Sequence, residues 1–495
     1  MTSSKKKKIP VIDLFAGPGG LGEGFAVAGG KSRKSRFDIR LSIEKDKNAY
    51  NTLKLRSFFR KFPADRAPDA YYDLEYRKSE NDFNYNDLYN RYPHMADETD
   101  REVKHCELGV DSVSAKEIDA LIHKTMNNCE HDHWVLIGGP PCQAYSTVGR
   151  SRNRGNKKYV PELDDRHFLY KEYLRIISEH WPSIFVMENV KGILTSRVNG
   201  KSIFKQILDD LRNPAGVVQE RPPGSELYQY RIFSFIKQPD SFDPSGFPVF
   251  KNPHDFIIKC EKYGVPQARH RVILLGIRED LVTDSRKILK KCDRPVTVSD
   301  VLNGLPALRS CLSGEKDSFD SWVNRIQEIV DLDWFAKATM SGVDKDVFGI
   351  MNETLQAFGK EMSAYGHGAE VLTCKADSDY LPEWYLDKRM TKIFNTSTRK
   401  HQVEDLYRYF FASCFSIARN RSPVLMDFPE ELLPEHRSTR KAVRSRSGNF
   451  ADRFRVQLMD RPSTTVMSHI SKDGHYYIHP DPSQCRSLTV REAAR

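Results

Sequence analysis

The feature that most constrains this chain is an alternation of short apolar runs with helical patterns, which continues to about residue 280. This alternation predicts β-α-β units, whose strands assemble into a parallel sheet with helices on both faces. The sequence therefore predicts an α/β fold with a doubly wound, Rossmann-like sheet. The predicted strands are Pro10–Phe15, Ile39–Ile43, Trp134–Ile137, Ile184–Met187 and Val272–Gly276.

The length of the chain predicts more than one domain, because 495 residues exceed the usual size of a single hydrophobic core. Between about residues 285 and 455 the regular alternation is lost, and a short strand-like segment returns near Val456. We therefore predict a basic tail at 1–8, a sheet domain at 9–284, a second and less regular domain at 285–455, and a return to the sheet domain at 456–495.

The composition indicates what kind of partner the protein binds and in which compartment it is found. A net charge of +10 favours a polyanionic partner. The nine cysteines form no CxxC pair and show no metal-ligand spacing, so we expect a reduced, intracellular protein without a metal site. No apolar run has the length of a membrane span, and the basic start "MTSSKKKKIP" lacks the apolar segment of a signal peptide.

Polar residues at the ends of the first two strands predict a cofactor site. In "VIDLFAGPGGLGEGF" the residues Gly17, Gly19 and Gly22 fit the pattern G-x-G-x-x-G at the start of a helix. Glu44 ends the second predicted strand, where an acid accepts hydrogen bonds from ribose hydroxyls. A dinucleotide and an adenosine-containing cofactor both suit this arrangement.

Three further strand ends carry polar or reactive side chains that are candidates for a functional site. Cys142 follows "GGPP" just after the third strand, on rigid backbone; its alternative is a small buried side chain. Glu188 and Asn189 follow the fourth strand, where Glu188 is alternatively a helix cap. Side chains at alternate positions before the fifth strand are expected to share one face: Gln267, Arg269 and Arg271.

Together these blocks resemble the DNA (cytosine-5)-methyltransferases, most closely the bacterial restriction–modification type. The matching blocks are "DLFAGPGG", "GGPPCQAYSTVGR", "ENV", "QARHR" and "RPSTTV", in the order of that family. The resemblance implies transfer of a methyl group to carbon 5 of cytosine in a specific duplex sequence. It also implies that 9–284 is the catalytic and cofactor-binding domain and that 285–455 is the target-recognition domain.

The resemblance implies a role for each residue of the catalytic set. Cys142 matches the nucleophile, whose thiolate adds to carbon 6 of the ring and so activates carbon 5. Glu188 matches the glutamate that shares a proton with ring nitrogen 3. Arg271 matches the contact to the base carbonyl, Arg269 its partner near the sulfur and the phosphate, and Asn189 a residue that orients the amino edge.

The implied cofactor is S-adenosylmethionine. Glu44 matches its ribose ligand, and Asp111 is the best match for the acid that binds the adenine amino group. Lys45 departs from the family, because relatives often carry an aromatic residue there for stacking on adenine. Further residues match cofactor contacts of the family: Phe15, Ala16, Gly17, Pro18, Gly19, Pro141 and Leu169.

DNA contacts are implied around the nucleophile. The target base lies inside a duplex and must be flipped out, and the stretch "GRSRNRGNKKYV" after Cys142 carries five basic residues without an acid. A second basic stretch, 436–455, resembles the end of the recognition domain; its alternative is a soluble linker. The residues predicted to contact DNA are Gln143, Ser146, Arg150, Arg152, Arg154 and Gln267.

Several expectations concern the whole molecule. In relatives the segment "QCRSLTVREAAR" continues through a final helix, so we expect a truncated chain that needs a complementary C-terminal segment for full activity. We expect a monomer in the bacterial cytoplasm, associated with the nucleoid, with a cognate restriction endonuclease and no membrane partner. The alternatives are a DNA-binding protein with vestigial catalytic motifs, a dinucleotide-dependent oxidoreductase, and an RNA methyltransferase.

Overall fold

The structure is a computed structural model, and it describes fourteen segments of the chain. These are residues 8–28, 35–63, 67–73, 85–109, 114–127, 129, 132–141, 166–198, 200–217, 227–283, 286–341, 345–358, 365–435 and 451–495. The chain divides into two compact units.

The first unit comprises Met1–Tyr71, Tyr85–Lys259 and His270–Lys290 and is built on an eight-stranded sheet. Its strands are β1 (Ile9–Leu14), β2 (Phe37–Glu44), β3 (Val103–His105), β4 (Val135–Gly138), β5 (Ile184–Val190), β6 (Tyr230–Phe233), β7 (Ile257–Lys259) and β8 (His270–Arg278). The strand order in the sheet is β7-β8-β5-β4-β1-β2-β3, and β6 also pairs with β8. All five strands predicted from the sequence are present, as β1, β2, β4, β5 and β8.

The sheet is mixed, whereas the sequence predicted a parallel one. Strands β3, β2, β1, β4 and β5 run parallel, but β8 is antiparallel to β5, β6 and β7. A parallel connection needs a crossover of a dozen or more residues. The segment Cys260–Arg269 between β7 and β8 is shorter than that, so the chain turns back and the two strands pair antiparallel.

The order of the parallel strands creates a switch point between β1 and β4. The chain proceeds from β1 through β2 to β3 at one edge, and then returns to place β4 on the other side of β1. Leu14, Gly138 and Met187 are register partners across β1, β4 and β5. Ligands of open α/β sheets bind outside the carboxyl ends of the strands at such a point.

Helices cover the sheet of the first unit. They are α1 (Gly20–Val27), α2 (Lys47–Arg60), α3 (Tyr85–Arg91), α4 (Pro93–Glu102), α5 (Ala115–Asn127), α6 (Arg166–His180) and α7 (Ile203–Arg212). Local chemistry fixes their ends: the Asp46 side chain accepts hydrogen bonds from the first amides of α2, and Ser202 does the same for α7. Strand residues such as Ile12 and Leu136 are fully buried with Tyr173 of α6.

The second unit comprises Tyr72–Asn84, Cys260–Arg269 and Lys291–Arg495. Helices are its main regular elements in the described part, where the sequence predicted only a loss of regularity. Its helices are α8 (Val298–Leu302), α9 (Phe319–Gln327), α10 (Asp333–Ser341), α11 (Lys345–Ala357), α12 (Pro382–Tyr385), α13 (Val403–Arg419) and α14 (Val490–Ala494). The central helix α13 buries Phe410, which packs in one cluster with Trp322 of α9.

The division into units differs from the predicted domain limits at the end of the chain, because 456–495 groups with the second unit. Val456 lies in its core, and the fully buried Arg486 donates to the Leu308 carbonyl at 3.0 Å. The guanidinium of Arg486 also bonds both carboxylate oxygens of Glu492, at 2.7 and 2.6 Å. These contacts hold the end of the chain to the helical core.

In the segments that the structure describes, no helix has both the length and the apolar character needed to cross a membrane.

Candidate active site

The loop after β1 adopts the tight conformation that its glycines predict. Gly17 and Gly19 have φ of 58° and 89°, and Gly19 caps α1. Phe15 also has a positive φ, of 55°, in a region that side chains other than glycine seldom adopt. The Ala16 amide donates to the Ile43 carbonyl at 3.0 Å, so this loop is fastened to the end of β2.

Glu44 lies at the end of β2, as predicted, and it fixes the glycine loop. Its carboxylate accepts the Gly17 amide at 2.7 Å on one oxygen and the Asp46 amide at 2.7 Å on the other. A carboxylate accepts about four hydrogen bonds, so each oxygen retains capacity for a hydroxyl donor. A Cβ at Gly17 would meet no atom within 4 Å, which leaves the open side of the loop accessible to a ligand.

Asp13 lies beneath this loop and was not predicted as part of the site. It is 1% exposed, and burial raises its pKa to about 8, while the positive charge of Arg60 and the Gly22 amide act in the opposite direction. A Cβ at Gly22 would lie 2.8 Å from the carboxylate oxygen of Asp13. The third glycine of the motif is therefore needed because α1 passes directly over this carboxyl group.

A second group of residues at the ends of β2 and β3 was also missed. Glu44 pairs in register with His105, and Glu107 follows two residues later with its carboxylate 2.6 Å from the Lys45 ammonium. His105 contacts the Lys45 carbonyl through Nε2 at 3.0 Å and stacks on Tyr50 with ring centroids 4.8 Å apart. This places an acid, Glu107, beside the ribose-binding candidate; the predicted acid Asp111 lies outside the described residues.

The structure describes the chain that leads towards Cys142, the predicted nucleophile, as far as Pro141. Gly138 permits the close packing of β4 on β1, because a Cβ there would lie 2.6 Å from the Leu14 carbonyl. The Asn189 amide donates to the Pro140 carbonyl at 3.3 Å, two residues before Cys142. Asn189 is buried, so its amide holds the main chain at Pro140 rather than facing solvent.

Glu188 of β5 and Arg271 of β8 form an ion pair near the carboxyl end of β5. The Arg271 Nε lies 2.7 Å from a Glu188 carboxylate oxygen, and both side chains are partly accessible, at 18% for Arg271 and 29% for Glu188. Glu188 and Asn189 lie inside β5 rather than beyond its end, because β8 supplies main-chain partners as far as Val190. Glu188 still stands at the shared edge, one residue past the register partner of Gly138.

The three residues predicted to share one face before β8 do not belong to one continuous strand. Gln267 belongs to a two-residue strand of the second unit that pairs with Ser463, and Arg269 falls between that strand and β8. Of the three, Arg271 alone lies in the sheet of the first unit. The regular extended backbone is interrupted at Ala268, because the Arg269 amide donates to the Gln267 carbonyl at 2.8 Å.

Other predicted residues are placed as follows. Leu169 is buried on α6 and faces Gly109, the last described residue after β3. Pro18 is exposed in the glycine loop. The remaining predicted positions lie outside the described residues: Asp111, Cys142, Gln143, Ser146, Arg150, Arg152 and Arg154, with 436–450 of the second basic stretch.

One cluster in the described part of the chain has the composition of a metal site. Cys311, Asp317 and His367 present ligand atoms within 4.8 Å of one another. Both carboxylate oxygens of Asp317, however, bond the Arg309 guanidinium, at 2.7 and 2.9 Å. This cluster is therefore an ion-pair network, and we assign no metal to it.

Comparison with known proteins decides the family. Residues 97–214 and 252–495 match the family model of the C-5 cytosine-specific DNA methylases. A relative named type II methyltransferase M.Bpa9945I, from Bacillus paralicheniformis, is 30% identical over 98% of this chain and 89% of its own length. The chain belongs to the C-5 cytosine-specific DNA methylases.

More distant similarities cover smaller parts of the chain or have lower identity. The type II methyltransferase M.BspRI of Lysinibacillus sphaericus is 26% identical over 56% of this chain and 46% of its own length. The solved structure of DNMT2 from Spodoptera frugiperda is 13% identical and covers 90% of this chain and 97% of its own, with a TM-score of 0.32. The methylase described here transfers a methyl group to carbon 5 of cytosine in a specific sequence of duplex DNA. A covalent enzyme–base adduct and base flipping are general in this family.

Proposed function

We propose that this methylase uses S-adenosylmethionine as its methyl donor and holds it at the ends of β1, β2 and β3. Two observations support this. The Gly17 loop has an open side, and the Glu44 carboxylate that fastens it keeps hydrogen-bonding capacity for the ribose. The loop residues Phe15, Ala16, Pro18 and Gly19 complete the proposed contact, with Pro141 and Leu169 as further apolar candidates.

For the adenine amino group the structure offers a second candidate beside the predicted Asp111. Glu107 stands two residues past the end of β3, and its carboxylate pairs with the ammonium of Lys45, the residue that follows Glu44. We propose Glu107 as the acceptor of the adenine amino group. S-adenosylmethionine supplies an electrophilic methyl group when it is bound; orientation of that group falls to these residues.

We propose that Cys142 is the nucleophile. Its thiolate adds to carbon 6 of the flipped cytosine, and carbon 5 of the resulting enamine takes the methyl group, so that the sulfonium donor would leave as a neutral thioether. A base, such as a water molecule, then takes the proton from carbon 5, and the electrons of that C–H bond expel the thiolate and restore the ring. Asn189 supports this role by holding the Pro140 carbonyl, because a fixed main chain limits the positions that the sulfur can adopt.

We propose that Glu188 and Arg271 bind the target cytosine. Their ion pair at 2.7 Å places a carboxylate and a guanidinium at the sheet edge that β4 leads to. We propose that Glu188 exchanges a proton with ring nitrogen 3 and that Arg271 holds Glu188 and donates to the base carbonyl. Arg269 and Gln267 are proposed to contact DNA from the second unit, and Arg150, Arg152 and Arg154 to contact phosphates.

The test is covalent trapping on a mixed-sequence duplex in which 5-fluorocytosine replaces the cytosines of one strand. Fluorine at carbon 5 cannot leave as a proton, so the adduct stalls after methyl transfer. The unmodified chain should form a denaturant-stable complex in the presence of S-adenosylmethionine, and Cys142→Ala should form none. Cys292→Ala, which removes an exposed thiol of the second unit, is the matched control and should trap normally.

The outcomes separate the proposal from its main rival. An adduct that persists in Cys142→Ala would assign the nucleophile to another residue. Binding of the duplex without any adduct in the unmodified chain would favour a DNA-binding protein with vestigial motifs. Because two relatives are named type II methyltransferases, we also propose that a restriction endonuclease of the same specificity accompanies this protein.

A further inference from the structure

Hydroxyl side chains from a distant part of the second unit hold the main chain that leads into β8. The Pro266 carbonyl accepts the Ser463 amide at 2.9 Å and the Ser463 hydroxyl at 3.1 Å. The Ala268 carbonyl accepts the Thr465 hydroxyl at 2.8 Å. Two hydroxyl groups that lie two positions apart in the chain therefore reach the same short segment, 266–269.

A tight turn within this segment directs Arg269. The Arg269 amide donates to the Gln267 carbonyl at 2.8 Å, and a hydrogen bond between residues two positions apart defines a γ-turn, here centred on Ala268. The Arg269 carbonyl in turn accepts the Cys260 amide at 3.1 Å. All four carbonyls from Pro266 to Arg269 are thus bonded, and these bonds set the direction in which the Arg269 side chain leaves the main chain.

The buried Gln457 holds the hydroxyl-bearing stretch 463–465 from its other side. Its amide oxygen accepts the Thr464 amide at 2.9 Å and the Thr464 hydroxyl at 3.1 Å. Its amide nitrogen donates to the Tyr476 carbonyl at 2.9 Å. Successive residues of an extended chain face opposite sides, so the neighbours of Thr464 reach the segment before β8 while Thr464 itself reaches Gln457. We call Gln457 and residues 463–465 the clamp.

Packing alone does not fix this part of the chain. The main-chain ladder between the clamp and the segment before β8 has two pairs, Gln267 with Ser463 and Ala268 with Thr464, and is shorter than most ladders. A cavity of about 40 Å³, large enough for water, is lined in part by Pro266, Gln267, Gln457, Ser463 and Val466. The side-chain hydrogen bonds of the clamp, rather than close packing, therefore determine the geometry of segment 266–269.

We propose that the clamp positions Arg269 for the methylation reaction, so that Gln457, Ser463 and Thr464 are positioning residues. This inference rests on the proposed function, in which Arg269 contacts DNA, and it adds side chains that act on Arg269 through the main chain. A fixed main chain leaves the arginine few orientations. Reaction rates fall steeply when a contacting group is displaced from its productive position.

Thr464→Val tests the clamp with little disturbance of the fold. Valine is similar in shape to threonine and retains the main-chain amide that Gln457 binds, but it lacks the hydroxyl. Thr464→Ser keeps a hydroxyl and should retain the rate of methyl transfer. Ser471→Ala is the matched control, because it removes a hydroxyl bond of 2.8 Å to the Ser468 carbonyl in the same unit, and it should leave the rate unchanged.

The readout is the single-turnover rate constant of tritiated methyl transfer from S-adenosylmethionine to a saturating, long mixed-sequence duplex. Active molecules are counted by trapping on the 5-fluorocytosine duplex. Thr464→Val should lower the rate constant about 10-fold, less than the hundredfold that a displacement of about 1 Å can cost, with the active fraction and melting temperature of the control. A variant that merely loses stability would have fewer active molecules with a normal rate constant, and that result would overturn the proposal.

A double-variant cycle with Arg269→Ala identifies the residue through which the clamp acts. Arg269→Ala should lower the rate constant, and adding Thr464→Val should cause no further loss, because the group that the clamp orients is gone. An additional loss equal to that of Thr464→Val alone would overturn the proposal, since the clamp would then act elsewhere. A normal rate constant in Arg269→Ala would instead contradict the role proposed for Arg269, and this inference with it.

Ser463→Ala is an independent second variant, which keeps the test decisive if Thr464→Val does not fold. It removes the hydroxyl that donates to the Pro266 carbonyl but leaves the Ser463 amide on the same oxygen. It should lower the rate constant less than Thr464→Val does, again without effect in the Arg269→Ala background, and Ser463→Thr should retain the rate. Normal rate constants in both Ser463→Ala and Thr464→Val would refute the clamp as a positioning element.

Discussion

Replacement of Asp13 by Asn should change how the stability of the sheet unit depends on pH. Burial raises the pKa of Asp13 to about 8, against the opposing effects of Arg60 and the Gly22 amide. In the unfolded chain an Asp ionises with a pKa of about 3.9. Between these values the folded state keeps a proton that the unfolded state has lost, so the free energy of unfolding falls as pH rises.

The size of the effect follows from the same two pKa values. Each pH unit between about 4 and about 8 costs about 1.4 kcal/mol. The accumulated cost at pH 7 is about 4 kcal/mol, an upper limit because water entry and relaxation reduce the penalty for a buried charge. Above pH 8 the group is ionised in both states, and no further loss is expected.

The Asp13→Asn variant keeps the shape of the side chain and an oxygen that accepts the Gly22 amide, but the new side chain does not titrate. One carboxylate oxygen of Asp13 has no hydrogen-bond partner in the unmodified chain. The amino group of the asparagine takes its place and finds no acceptor there, which costs about 1–3 kcal/mol of stability at every pH. The decisive quantity is therefore the difference in unfolding free energy between Asp13→Asn and the unmodified chain. It should rise steadily in favour of the variant from pH 5 to pH 8.

The assay is urea unfolding at several pH values. Glu492→Gln is the control. Burial raises the pKa of Glu492, but Arg486 lowers it to about 2, so Glu492 is ionised throughout the range from pH 5 to pH 8. The stability lost in Glu492→Gln should therefore be the same at every pH in that range. A difference between Asp13→Asn and the unmodified chain that does not change between pH 5 and pH 8 would refute the reasoning, because it would mean that Asp13 is already ionised in the folded protein.

Three further predictions concern single contacts. Glu44→Ala should weaken S-adenosylmethionine binding in calorimetry by about 1.5–3 kcal/mol or more, because it loses charged hydrogen bonds to the ribose and the anchor of the glycine loop; unaltered affinity would remove Glu44 from the site. Gly138→Ala should destabilise the chain by about 1–3 kcal/mol, because the new Cβ would lie 2.6 Å from a carbonyl, whereas Gly24→Ala, with open space around it, should be neutral or stabilising in thermal unfolding. Arg486→Met should cost about 3–5 kcal/mol by leaving Glu492 buried and unpaired, and a double variant with Glu492→Leu should recover most of that loss; a double variant as unstable as the single one would contradict this account.

Much of the first unit follows from local sequence. The strands beneath the site are continuous apolar runs, so that β1 and β4 were located to within one residue, and Glu44 was placed at the end of β2. By contrast Glu107 was missed because β3 has only three residues, Val103–His105, and no apolar alternation. Short strands at the edge of a sheet are stabilised by their neighbour rather than by their own pattern.

Features that depend on distant partners were not accessible to sequence reasoning. Gln267 and Arg271 lie in different strands, because Gln267 pairs with Ser463, far along the chain. Burial of Arg486 with Glu492 runs against the usual exposure of charged residues, and nothing in their local sequence announces it. Such pairings are decided by tertiary packing, which one sequence does not record.

The register of Leu14, Gly138 and Met187 fixes the spacing of the strand ends at which we propose the active site. Neighbouring strands lie about 4.8 Å apart, so the ends of β1 and β5 stand about 10 Å apart with β4 between them. The main-chain hydrogen bonds of the sheet set this spacing, and most side-chain replacements leave it unchanged. Inserting one residue into β4 would advance its end by about 3.3 Å and turn the following side chains to the opposite face. We therefore expect side-chain replacements along these strands to preserve the spacing of their ends, whereas an insertion or deletion of one residue should change it.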